Sequence, residues 1–257
     1  MKYFTLLLLI FTISSSAQDQ KKPKEYTIEQ FYKNTRIGGG QFSNDESKLL
    51  ISSDETGIFN VYEIDISNKS KTAITKSAEE SFFAIDYVPG STDLLYSADK
   101  GGNEIDHIYL LKKSGETKDL TPGENEKANF MGWSNDKQSL YYLSNKRNPQ
   151  FFDAYQMKIG QWEPEMIYEN TEGFSVSNIS GDGKFIALTK EITTSENRLF
   201  LYDTEDETMT ELSKAGFSYS PTGFNKNASE FYYTTNEDGE FSHLVAYIIK
   251  DKNAEVL

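Results

Sequence analysis

The sequence predicts an all-β chain, a β-propeller of about five four-stranded blades. Three observations predict it. One unit of short strands recurs five times, its copies keep an even spacing, and apolar patterning of helical period is confined to one short stretch. In each unit an apolar strand end meets a tight polar turn. A second apolar strand, a Gly/Asn-rich turn and a third strand with aromatic residues follow.

Ahead of the first unit, residues 1 to 17 read as a secretory signal. Lys2 supplies the positive start, Tyr3 to Ile13 the apolar stretch, and Ser15-Ser16-Ala17 the small residues at a cleavage site. The apolar stretch is 11 residues, short of the roughly 20 that a spanning helix needs. No cysteine follows it to receive a lipid anchor. The mature chain is therefore expected outside the cytoplasm, periplasmic or extracellular, with no membrane insertion after signal removal. Residues 18–36 form a lead-in. Within YTIEQFYKN, Ile28, Phe31 and Tyr32 stand at i, i+3 and i+4, the apolar face of a short helix that needs a surface to pack against.

The units are anchored on the residue before the first turn: Phe42 (FSNDESK), Tyr87 (YVPGSTD), Trp133 (WSNDKQS), Ile179 (ISGDGKF) and Phe224 (FNKNASE). The steps between them are 45, 46, 46 and 45 residues. Second strands are expected at Leu49–Ile51, Leu94–Tyr96, Leu140–Leu143, Phe185–Leu188 and Phe231–Tyr233, and third strands at Val61–Ile64, Ile108–Leu111, Ala154–Met157, Leu199–Tyr202 and Leu244–Tyr247. Weaker fourth strands close each unit at Thr72–Thr75, Lys118–Thr121, Glu165–Tyr168, Met209–Leu212 and Ala254–Leu257. The predicted blades span about 37–80, 81–126, 127–172, 173–217 and 218–257, a propeller covering 37–257. One such meander cannot bury both its faces, so the copies must stack around an axis. A two-sheet sandwich has no reason to hold the phase through five units.

Composition agrees with a packed core: 37% of the 257 residues are hydrophobic and 14% aromatic. The absence of cysteine excludes disulfides, thiolate metal sites and a cysteine nucleophile. Without Lys2 the balance is 25 basic against 40 acidic residues. That surface repels phosphate, so nucleic acid and anionic membrane are not expected partners.

Catalytic patterns are missing. A hydrolase nucleophile elbow needs Gly-x-Ser-x-Gly on a strand-to-helix turn. The Gly-x-Ser starts at Gly132, Gly173 and Gly216 reach Asp136, Ser177 and Ser220 instead, inside blade anchors. His107 and His243 each open a third strand, which makes them equivalent structural positions, with Asp106 the neighbour that would serve a functional His107. Glu79-Glu80, Asp54-Glu55 and Glu205-Asp206-Glu207 raise the pair of carboxylates that a glycosidase uses, but turn positions explain them. Ser43-Asn44-Asp45, Ser134-Asn135-Asp136 and Ser180-Gly181-Asp182 lack the ligand density of calcium loops and read as turns. No catalytic, cofactor-binding or metal-ligating residue is expected.

The turns FSNDESK, WSNDKQS and ISGDGKF resemble the aromatic-Ser-Pro-Asp-Gly-Lys turn of TolB-like propellers and of the N-terminal propeller in prolyl oligopeptidase family serine peptidases. Asp99-Lys100-Gly101-Gly102-Asn103-Glu104 with His107-Ile108-Tyr109, and the lead-in Tyr26-Thr27-Ile28-Glu29-Gln30-Phe31, resemble the dipeptidyl and acylaminoacyl peptidase branches. The resemblance covers about residues 24 to 257. It implies a non-catalytic module that gates peptide substrates for a C-terminal α/β-hydrolase domain missing from this sequence, hence a piece of a longer enzyme whose propeller has seven or eight blades. The Asp-Trp-x-Tyr-Glu-Glu stretch of the dipeptidyl branch has no counterpart. Glu104 is the nearest substrate-contact candidate. The alternative is a free-standing TolB-like propeller that binds a protein partner, and a five-bladed glycan-active enzyme is a third reading.

Overall fold

The computed structural model describes residues 23–257, so the signal sequence read at residues 1–17 lies outside the described residues. The chain divides into two units with the boundary between Thr35 and Arg36. In the first, a one-turn helix α1 (Ile28–Tyr32) starts at a capping box: the Gln30 amide donates to Thr27 Oγ1 at 3.2 Å and the Thr27 amide to Gln30 Oε1 at 3.0 Å. Its apolar side chains Ile28, Phe31 and Tyr32 are exposed.

The second unit is five sheets of four antiparallel strands in sequence order. The first holds β1 (Ile37–Phe42), β2 (Lys48–Ser53), β3 (Asn60–Asp65) and β4 (Lys71–Ala73); the second β5 (Phe82–Tyr87), β6 (Leu94–Ala98), β7 (His107–Leu111) and β8 (Thr117–Asp119). The third holds β9 (Ala128–Trp133), β10 (Ser139–Asn148), β11 (Phe151–Lys158) and β12 (Pro164–Tyr168); the fourth β13 (Ser175–Ile179), β14 (Phe185–Thr193), β15 (Glu196–Asp203) and β16 (Thr208–Glu211). The fifth holds β17 (Tyr219–Phe224), β18 (Glu230–Thr235), β19 (His243–Ile248) and β20 (Asn253–Val256).

Each predicted anchor is the last residue of its sheet's first strand and pairs with the second strand: Phe42 with Leu49, Tyr87 with Leu94, Trp133 with Leu140, Ile179 with Ile186 and Phe224 with Phe231. The fourth strands begin one residue earlier than their sequence pattern indicates in every sheet. They pair on one side only, so a single ladder sets their limits.

Successive sheets bury their faces against each other. Leu50 and Val61 of the first pack on Leu94 and Tyr96 of the second, and Leu95 and Ile108 of the second on Leu140 and Met157 of the third. Leu143 and Ala154 meet Ile186 and Leu188, and Leu199 and Leu201 meet Phe231 and Val245. Alternation along each strand sends neighbouring residues to opposite interfaces, so Leu94 and Leu95 serve different cores. Each such Leu contributes about 2–3 kcal/mol by burial. This is the stacking of blades around an axis that the repeat requires.

Candidate functional site

The first strands of the sheets form the axial face. All five carry a bulge two residues before the anchor, at Gly40, Ile85, Met131, Ser177 and Thr222, where one residue drops out of the pairing. Four residues before the anchor stand Gly38, Phe83, Asn129, Ser175 and Ser220, all exposed. The five strands contain 29 residues and one charge, Asp86, in a chain that is 26% charged. Even that carboxylate is tied down. It accepts from Trp133 Nε1 at 3.0 Å, across the interface between the second and third blades, and from the Tyr87 amide at 2.7 Å.

Burial raises the Asp86 pKa above its ordinary 3.8, against the pull of those two hydrogen bonds. The native state therefore keeps this proton to higher pH than the unfolded chain. Its contribution to stability falls as pH rises from about 3.8 through the native value. Trp133→Phe removes one hydrogen bond to the anion, so this window should widen and the loss near neutral pH should be about 1 kcal/mol. Thermal unfolding of both proteins between about pH 4 and pH 7 measures it. A constant difference across that range would contradict the coupling.

At one end of the axis the first turns interlock. Ser43, Ser134 and Ser180 each donate from Oγ to the Asp two residues on, at 2.6 Å, and accept the amide of the second strand's leading residues. Ser43 and Ser47 hold Asp45 down to about 2. Hydrogen bonding inside the turns engages each of these acids. Asn44 reaches the next blade, donating to Val88 O and Ser91 O and accepting from the Gly90 amide. Asn135 reaches further: its amide donates to Gly181 O of the fourth blade and its Nδ2 to Lys226 O of the fifth, both at 2.6 Å. A side chain at Gly181 would collide with Asn135, which explains the glycine there. Turns two blades apart thus meet, and this end of the axis is drawn together.

The register places Asn60, His107, Asp153, Arg198 and His243 at one shared position, opposite Ser53, Ala98, Ser144, Lys190 and Thr235. The position ties the third strand to the end of its own blade. Asn60 Oδ1 accepts from Thr75 and the Ser77 amide, Arg198 donates to Glu211, and His107 Nδ1 lies 2.7 Å from Asp119. The partner of His107 is Asp119 and not the adjacent Asp106, which pairs with Lys127 at 3.3 Å. His107 also stacks on Tyr109, beside a cleft of about 340 Å³ that Lys100, Asn103 and Glu124 help line.

Glu104 sits in the connection from β6 to β7 with φ +60°, exposed, its amide held by Asp99 Oδ2 and its carbonyl accepting from Lys127 Nζ. Within the acidic runs, Asp54 is bound by Arg36, Glu55 by Lys71 and Glu205 by Lys184, while the Glu80 amide donates to Ser77 Oγ in a turn. The Gly-x-Ser serines fall in the Ser134 turn, at the start of β13 and before β17. Among the described residues no group of three His, Asp or Glu side chains is placed to hold a metal ion.

The sequence pattern of the prolyl oligopeptidase N-terminal beta-propeller domain matches residues 73–256, well over half of the chain. The chain belongs to this family. Comparison with curated proteins gives no match. Among solved structures, the prolyl oligopeptidase-type propeller is similar to one from a study of two prolyl endopeptidases, at 14% identity and a TM-score of 0.64, covering 88% of this chain and 36% of that one. It is also similar to TolB from Acinetobacter baumannii, at 19% identity and a TM-score of 0.54, covering 85% and 53%. An oligogalacturonate lyase in complex with manganese is 12% identical with a TM-score of 0.63, covering 87% and 66%. These likenesses show the propeller fold. The chain spans about half the length of the A. baumannii TolB and about a third of the endopeptidase.

Proposed function

We propose that this chain is the non-catalytic, substrate-gating propeller of an exported prolyl oligopeptidase-like serine peptidase and works with an α/β-hydrolase domain. The observation that carries the reading is the axial face: five first strands with one charge among 29 residues, beside the family match. A lining whose single charge, Asp86, is held in hydrogen bonds passes or excludes peptides mainly by size, whatever their side-chain charge, which suits a steric filter. Export rests on the signal pattern at residues 1–17. No helix among the described residues is long and apolar enough to cross a membrane.

Purified alone, the chain is expected to leave prolyl and aminoacyl chromogenic peptides uncleaved. Hydrolysis at a rate that follows the protein through purification would refute the non-catalytic reading. A second reading, a TolB-like propeller that binds a protein partner, is favoured by the 80% coverage of a putative TolB from Agrobacterium tumefaciens, at a TM-score of 0.55 and 16% identity. The reading frame beyond the Leu257 codon separates the two. A continuing frame with Gly-x-Ser-x-Gly supports the peptidase, and a stop codon supports the free-standing propeller.

A further inference from the structure

We propose that the rim cleft between the second and third blades binds a neutral pyranose sugar. The cleft, about 260 Å³, runs from the turn between β11 and β12 to the end of β10, with Trp162, Tyr142 and Pro164 among its apolar lining and Lys118, Lys146 and Glu126 among its polar lining.

Trp162 is the residue that singles this cleft out. The fourth residue after the third strand is left-handed in every blade: Lys69 at φ +60°, Gly115 at +88°, Trp162 at +56°, Glu207 at +52° and Lys252 at +49°. Four of the five are polar or glycine. A bulky aromatic is a costly occupant of that region, where Cβ crowds the backbone. The indole packs on the core shared by the second and third blades. The residue is only half-buried, however, and it lines the cleft together with the deeply buried ring of Tyr142.

The lining matches the two-sided chemistry of a sugar ring. Aromatic π-faces carry negative charge density and attract the polarised C–H face of a pyranose. Lys118 and Lys146 donate, and Glu126 and Glu163 accept, around that apolar patch, as hydroxyl groups require. Acidic groups are at least as numerous as lysines there, which disfavours an anionic sugar.

The sequence has two tryptophans, so Trp133→Phe leaves Trp162 as the only indole emitter. The experiment titrates this variant with maltohexaose, cellohexaose, xylohexaose, chitohexaose and hexagalacturonate, with calorimetry on the unaltered protein alongside. At least one neutral hexasaccharide is expected to give a saturable change in emission. In calorimetry its affinity should fall tenfold or more in Trp162→Gly, which suits the positive φ but gives up the indole's packing on the core, so thermal unfolding is run on the variant to show that it is folded. Lys146→Ala, which leaves the core intact, should weaken the same ligand. Silence from all four neutral sugars, binding that is unchanged in both variants, or tighter binding of hexagalacturonate would each overturn the proposal.

Discussion

Replacing Asp153 by Ala is expected to lower the unfolding free energy by about 3 kcal/mol. The carboxylate is fully buried and carries four demands at once. Arg147 donates to it from Nε and Nη2 at 2.9 and 2.8 Å, the Asn170 amide at 2.7 Å and the Tyr155 hydroxyl at 3.4 Å. Asn170 in turn bridges the Phe152 and Phe174 carbonyls and accepts from the Gly173 and Phe174 amides, so the turn into the fourth blade hangs on this one acid. Breaking a buried pair costs about 3–5 kcal/mol, and the lower end applies because Arg147 is 31% exposed and can turn to water. Asp153→Asn keeps the shape and part of the hydrogen bonding, and should cost about half as much. Urea unfolding of the three proteins decides it. A loss under about 1 kcal/mol for the Ala variant would show that the network does not hold the blade.

Phe231→Ala should destabilise by about 3–5 kcal/mol, and unevenly along the chain. Phe231 is fully buried in the core between the fourth and fifth blades, 4.9 Å from Phe224 and 5.9 Å from Tyr233 between ring centroids. Its removal leaves a cavity that neighbours cannot fill without shifting. In a stacked-repeat protein each unit is held mainly by its neighbours, so damage at one interface is felt locally first. Hydrogen exchange should therefore accelerate in β17–β20 while β5–β11 keep their protection. Equal acceleration in all five sheets would contradict stacking of separate blades.

The strands were legible because each rests on local chemistry that repeats. A two-residue alternation runs between polar turns, and the anchors Phe42 to Phe224 all fall where the turn geometry puts them. The bulges were not legible: Gly40, Ile85, Met131, Ser177 and Thr222 share no side-chain property, because a bulge is a backbone event that several residue types accommodate. The partner of His107 was also hidden. Asp106 lies just before β7 and pairs with Lys127, whereas Asp119 pairs with Tyr109 on β7 and reaches the imidazole diagonally. The repeat does contain a signal, since the position of His107 holds a polar residue in all five blades. The reach of Asn135 to the fifth blade required the axis itself, which no single unit specifies.

That same contact gives the most direct measurement of the arrangement. The chain has no cysteine, so Asn135→Cys with Lys226→Cys places two thiols on an otherwise thiol-free protein. A short bis-maleimide should join them within one molecule, giving a cross-linked monomer that trypsin and mass spectrometry locate between the third and fifth blades. Failure to cross-link, or links only between molecules, would contradict five blades stacked around a common axis.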